Sequence, residues 1–119
     1  MDMDKECIDL CVALNTLDDI HTTESCCGHC KEPYMIFFDC TDFYTLGKLY
    51  RCVSRNYSDG MWRIEVCFSD THPVFGFMLR SNYPFETYDE IKASVGRLIK
   101  NIDYWTDEKF DNYFKSSDI

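Results

Sequence analysis

The sequence predicts an α+β fold: a four-stranded antiparallel sheet with helices packed on one face, in the order α-β-β-α-β-β-α. Three observations carry this. Three stretches repeat apolar residues at the 3.6-residue spacing of a half-buried helix. Four shorter runs have strand length and strand-type composition, and one of them alternates strictly between apolar and other residues. The strands come in two pairs, each joined by a short turn segment, which favours antiparallel hairpins over parallel crossovers.

Residues 4–16 form the first helix. Asp4 stands at its N-cap, Cys7, Leu10, Cys11 and Leu14 recur at helical spacing, and Glu6 and Asp9 fall on the other face. Leu17-Asp18-Asp19 is the exit loop. Residues 20–27 carry β-branched side chains and read as a strand. Gly28 to Pro33 is a turn bracketed by Gly and Pro, and Tyr34 to Cys40 is an apolar run of strand length. These two strands make a hairpin. Asp42 to Val53 is the second helix, capped by Asp42 or Thr41, with Phe43, Leu46, Leu49, Tyr50 and Val53 as its buried positions.

Asn56 to Gly60 is a turn with an Asp59-Gly60 signal. Trp62, Ile64, Val66 and Phe68 then alternate with Arg63, Glu65 and Cys67. Ser69 to Pro73 turns the chain, Val74 to Arg80 is the fourth strand, and Asn82-Tyr83-Pro84 ends it. Phe85 to Asn101 is the third helix, with Tyr88, Ile91, Val95, Leu98, Ile99 and Ile102 on its apolar face. The stretch from Asp103 to Ile119 keeps Trp105, Phe110, Tyr113 and Phe114 among acids, suited to covering a sheet edge or to a dimer contact. No linker rich in Pro, Gly or Ser divides the chain, so one domain is expected over 1–119.

Twenty-one acids against twelve bases give a net charge of −9. That balance argues against direct binding of nucleic acid or of an anionic membrane by the molecule as a whole. No apolar run is long enough for a membrane span. The eight cysteines are Cys7, Cys11, Cys26, Cys27, Cys30, Cys40, Cys52 and Cys67. The chain opens without a basic, apolar leader, and several of these cysteines occupy core positions of the pattern. A reduced protein of a host cell's cytoplasm, using Cys as a small hydrophobe, is the expectation.

The densest cluster of reactive residues is Cys26-Cys27-Gly28-His29-Cys30-Lys31. Zinc takes four N or S ligands, commonly two from each of two knuckles. Cys27 and Cys30 supply one C-x-x-C knuckle and no second follows, although Cys40 can come from the next strand. Adjacent Cys26 and Cys27 on a strand also point to opposite faces. Core cysteines beside a turn histidine are therefore expected, with no metal and no cofactor. A Cys nucleophile needs a nearby His and an orienting acid. His29 is adjacent in sequence, but His21 and His72 fall in loops and nothing marks a third partner, so no catalytic residue is assigned.

A local charge reversal runs from Lys48 to Arg63, where Lys48, Arg51, Arg55 and Arg63 face a single acid, Asp59, with Tyr50, Tyr57 and Trp62 interleaved. Lys48, Arg51 and Arg55 share a helix face by spacing. Arg offers a bidentate fork to phosphate and an aromatic ring offers a stacking surface for a base. The candidate ligand site is therefore Arg51, Arg55 and Arg63 for phosphate, Tyr57 or Trp62 for a base, and His29 and Lys31 at the rim. Arg80 joins if the turns share one end of the sheet. The P-loop, dinucleotide-binding, zincin and nucleophile-elbow motifs do not occur.

The stretch from Leu14 to Phe38 resembles a family of small proteins carried by phages and prophages, which share a helix, an Ile-x-Thr-x-x-Ser-Cys-x-Gly-His segment (here Ile20 to His29) and an apolar strand, and Trp62 to Val66 is similar to their third strand. Cys30 departs from the Gly those proteins carry after the His. The Thr-Thr-x-Ser-Cys-x-Gly part also resembles tRNA wybutosine methyltransferases of the Tyw-three type, which are longer and carry Arg where His29 stands. That activity is not carried over. By class and architecture the chain looks like phage anti-defence sponges of the Thoeris type. That resemblance implies a non-enzymatic homo-oligomer that sequesters a cyclic nucleotide or ADP-ribose-like immune signal. Two alternatives stand beside it. One is an acidic, anti-CRISPR-like inhibitor of a host nucleic-acid-binding defence protein, built on the acidic ends (Asp2, Asp4, Glu6, Asp9, Asp18 and Asp19, and Asp103, Asp107, Glu108, Asp111 and Asp118). The other is a zinc-binding module using Cys26 to Cys30.

Overall fold

The computed structural model describes residues 4–54, 60–68, 75–105, 109 and 111–112. Its elements are α1 (Lys5–Asn15), β1 (His21–Cys26), a 3-10 turn (Gly28–Cys30), β2 (Met35–Asp39), α2 (Phe43–Ser54), β3 (Trp62–Phe68), β4 (Phe75–Ser81) and α3 (Tyr88–Tyr104). The order is the expected α-β-β-α-β-β-α in an α+β fold. His21 opens β1 rather than lying in a loop, and His72 falls outside the described residues.

The sheet order is β1-β2-β4-β3, with every neighbouring pair antiparallel. Two hairpins thus meet along β2 and β4. The strand period of two then sorts the side chains. Ile36, Phe38, Phe77, Leu79 and Trp62 are buried together with residues of the three helices. Met35, Phe37, Met78, Arg80, Arg63 and Glu65 fall on the opposite, helix-free face, outside the core that the described helices share; Met78 is buried there, and Met35 and Phe37 are half-buried.

Each helix is placed by its own chemistry. α1 buries Cys7, Leu10, Cys11 and Leu14, the expected stripe. Asn15 clips its end to β1: its side-chain amide donates to Thr22 Oγ1 (2.9 Å) and its carbonyl accepts the Thr22 N–H (3.0 Å). α2 is capped by Asp42, whose Oδ1 accepts the Tyr44 N–H at 3.0 Å. α3 is capped by Thr87, whose Oγ1 accepts the Glu90 N–H at 3.1 Å, while Glu90 reaches back to the Glu86 N–H.

α2 is rotated from its expected phase. It buries Thr45, Lys48, Leu49, Cys52 and Val53, whereas Phe43 is 80% exposed and Tyr50 is exposed. The observed set follows i, i+3, i+4, i+7, i+8, a complete helical stripe. Cys52 counts as an apolar residue in it, and the aliphatic stem of Lys48 is long enough to lie along the core. Asn101 of α3 locks this phase, donating from its fully buried amide to the Cys52 carbonyl at 2.8 Å.

Tyr34, just before β2, is the hub of the core. It is fully buried, its ring meets Trp62 edge-on at 5.2 Å and Phe85 at 6.5 Å, and its hydroxyl donates to the Glu6 carbonyl of α1 at 2.9 Å. Buried Ser81 serves the same junction, accepting the Tyr34 N–H and donating to the Tyr83 carbonyl. At the other end of the sheet a chain of rings, Phe38, Phe77, Phe75 and Phe68, runs outward from the core. Val66 and Phe68 keep the expected face of β3 but are exposed. No described helix is long and apolar enough to cross a membrane.

Candidate functional site

One corner of the molecule gathers polar and sulfur groups from three separate segments. Asp4 precedes α1, Cys26 ends β1, and His29 lies in the 3-10 turn. Asp4 occupies the N-cap position but makes no side-chain cap. Its Oδ2 instead accepts the Cys27 N–H at 2.9 Å and lies 3.6 Å from His29 Nε2. Cys26 Sγ accepts the Gly28 N–H at 3.4 Å, and His29 Nδ1 lies 3.6 Å from Cys27 Sγ. The turn owes its shape to three successive residues with positive φ: Gly28 (79°), His29 (52°) and Cys30 (61°). Two of these are not glycine, a backbone strain of the kind that collects at binding and catalytic sites.

The Cys27–His29 contact is the arrangement a thiol nucleophile would use, yet its chemistry is reversed. Cys27 is 1% exposed, and burial pushes its thiol up to about 11. An activated cysteine needs a lowered value and an approach path. Cys7 and Cys52 are likewise raised by burial, to about 11 and about 12. They behave as the small hydrophobes the sequence led one to expect.

The second arrangement lies on the helix-free face. Cys26, Met35, Arg80 and Arg63 are successive register partners across β1, β2, β4 and β3. Next to them run Glu24, Phe37, Met78 and Glu65. Arg63 and Arg80 are therefore direct cross-strand neighbours, with Cβ atoms about 5 Å apart. Like charges held side by side this way are unfavourable on their own and favour an anion between them. Arg63 Nε and Nη2 hold Glu65 Oε1 at 2.7 and 2.6 Å, and Nη1 faces Asn82 Oδ1. That ion pair is about half exposed, so it is worth no more than about 1 kcal/mol and a phosphate can displace it. Arg80 Nε donates to the Ser81 carbonyl at 3.0 Å. The β1–β2 turn, which carries His29 and Lys31, leaves the sheet at this same end.

The residues expected to bind together are thus divided. His29, Lys31 and Arg63 share one end of the sheet, and Arg80 does join them. Arg51 belongs to α2, in the helical layer behind the sheet. Lys48 is buried, which removes it from the expected basic helix face. Trp62 is 5% exposed and its Nε1 donates to Ser94 Oγ at 3.0 Å, which leaves no ring face for a base. Arg55 and Tyr57 lie outside the described residues. Sequence reading missed Phe37 as a surface ring and Asp4 as more than a cap. The phase of Met35 to Asp39 held the first signal, because burying Ile36 and Phe38 turns Met35 and Phe37 outward.

Two carboxylates make the fold sensitive to acid. The Cys27 N–H holds Asp4 below the ordinary carboxylate value of 3.8. Thr41 does the same for Asp19, whose Oδ2 accepts the Thr41 hydroxyl and the Asp42 N–H, both at 2.8 Å. A group lowered in the folded state stabilises above its unfolded value, and the benefit disappears as pH falls through the lowered value. Thermal midpoints should accordingly fall below about pH 4. An Asp4→Asn, Asp19→Asn double variant should start lower at neutral pH and show a shallower acid decline, read by circular dichroism melts.

Comparison of the chain with family models, curated proteins and solved structures finds no match.

Proposed function

We propose that this protein binds, without transforming, a phosphate-bearing small molecule of nucleotide type on the helix-free face of its sheet. The observation that carries this reading is the cross-strand pair Arg63 and Arg80, set side by side on that face in a chain of net charge −9. A phosphate bridging two guanidinium groups relieves their mutual repulsion and uses the bidentate geometry Arg provides. Half-buried Phe37 and Met35, backed by buried Met78, offer an apolar floor on which a base can stack. Lys31 adds a cation at the rim. The resemblance to phage-borne sponges names the ligand class: a cyclic nucleotide or ADP-ribose-type signal.

The test is calorimetric titration with ADP-ribose, and with ribose as the phosphate-free control. Binding of ADP-ribose alone is expected. Arg63→Ala and Arg80→Ala should each weaken it by about tenfold or more, the worth of a charged hydrogen bond, with the thermal midpoint nearly unchanged. No binding, or equal affinity in the double variant, removes the reading.

A second reading, self-association, has its own observation. β3 is an edge strand, and Phe68 on it is 81% exposed, with Val66 and Phe75 also exposed beside it. An apolar edge of this kind is a template for a second copy.

A further inference from the structure

We propose that Asp4, Cys26 and His29 form a site for one divalent metal ion of the zinc class, which staples the start of α1 to the β1–β2 turn. The inference stands apart from the phosphate reading, since its ligands and its test do not involve Arg63 or Arg80.

One ligand atom from each residue lies within 4.8 Å of the other two. Tetrahedral zinc with N, O and S ligands needs ligand–ligand edges of about 3.3–3.6 Å, from its bond lengths. The Asp4 Oδ2 to His29 Nε2 distance of 3.6 Å already meets that edge. It is too long for a good hydrogen bond between the two groups. The edges to Cys26 Sγ, within 4.8 Å, need at most about 1 Å of closure to reach tetrahedral values.

The support around the ligands points the same way. Metal-bound His groups usually have their second ring nitrogen occupied, which fixes the tautomer. Here Nδ1 faces Cys27 Sγ and leaves Nε2 toward Asp4. The Gly28 N–H donates to Cys26 Sγ and the Cys27 N–H to Asp4 Oδ2, which orients both ligand atoms. The left-handed turn through Gly28, His29 and Cys30 folds the imidazole back over the strand end. One Asp carboxylate and one thiolate neutralise a dication, and a neutral imidazole completes three protein ligands. His29 is more than half exposed, so the fourth position opens to solvent, where water completes the shell.

Sequence spacing hides this set. The notable C-x-x-C is Cys27 and Cys30, whereas the geometry selects Cys26, and Asp4 comes from 22 positions before it.

The experiment is cobalt(II) titration of the reduced full chain, followed by zinc competition. One equivalent should bind, with a sulfur-to-cobalt charge-transfer band and the intense visible bands of tetrahedral cobalt. Zinc should displace it and raise the thermal midpoint, and chelator should reverse both. Cys26→Ser should abolish the charge-transfer band. His29→Asn, which tolerates positive φ, and Asp4→Asn should each weaken binding by at least about tenfold, by analogy with lost metal-site groups. Cys67→Ser, on a different strand, should leave the spectrum unchanged. Absence of stoichiometric uptake by the parent chain overturns the proposal, as does an unaltered spectrum in Cys26→Ser. Circular dichroism of each variant separates lost binding from lost folding.

Discussion

Replacing Tyr34 with Ala is expected to remove about 3–5 kcal/mol of stability, the cost of deleting a fully buried large ring. This is a large share of the roughly 5–15 kcal/mol that a domain possesses. The side chain is fully buried and touches both halves of the fold: Trp62 at the start of β3 and Phe85 before α3 rest against its ring, and its hydroxyl reaches the Glu6 carbonyl in α1. Few contacts replace it, because Trp62 is itself held by Ser94 and cannot swing into the space. Tyr34→Phe keeps the ring and loses one hydrogen bond, so about 1 kcal/mol is expected. Urea unfolding of the two variants separates ring from hydroxyl. An Ala variant within 1 kcal/mol of the parent, by roughly the same scale, would mean that the core does not converge on this residue.

Gly28→Ala should cost about 2–3 kcal/mol, combining the left-handed penalty with a clash. Gly28 has φ +79°, and an added Cβ would stand 2.9 Å from the Pro33 carbonyl oxygen and 3.1 Å from its carbon. Both are backbone atoms, so relief requires moving the turn. Gly60 provides the control. Its φ is +73°, but a Cβ there meets nothing within 4 Å. Gly60→Ala should therefore cost only the left-handed penalty of about 1–2 kcal/mol. The difference between the two variants measures the clash. The Gly28 variant should also lose cobalt binding, because its turn carries His29 and lies next to Cys26. Equal losses at the two glycines would contradict the close packing of the turn.

The fold was legible because its signals are local. Helical spacing marks α1 and α3, alternation marks β3, and the Gly28–Pro33 punctuation marks the first hairpin. The phase of α2 was not legible in the same way. Two stripes compete on that helix, one through Phe43, Leu46 and Tyr50 and one through Thr45, Lys48 and Cys52, sharing Leu49 and Val53. The aromatic stripe scores higher on side-chain hydrophobicity, but the observed one fits the contact with α3 through Asn101. The candidate site was legible only in part. Arg63, His29 and Lys31 were named, but Arg63 and Arg80 become neighbours only through a register that the sequence does not spell out. Asp4 reaches the turn across 23 positions and leaves no periodic trace. Trp62 reads as a stacking ring in the sequence, and alternation alone does not bury it, since Val66 and Phe68 on the same face of β3 are exposed.

Amide chemical-shift mapping locates a phosphate-bearing ligand on the helix-free face residue by residue. The reduced, isotope-labelled chain would be titrated with ADP-ribose. Saturable shifts are expected, centred on Met35, Phe37, Met78, Arg80 and Arg63, with little change along α2 around Arg51. Shifts centred on α2, or a spectrum unmoved by excess ligand, would contradict it.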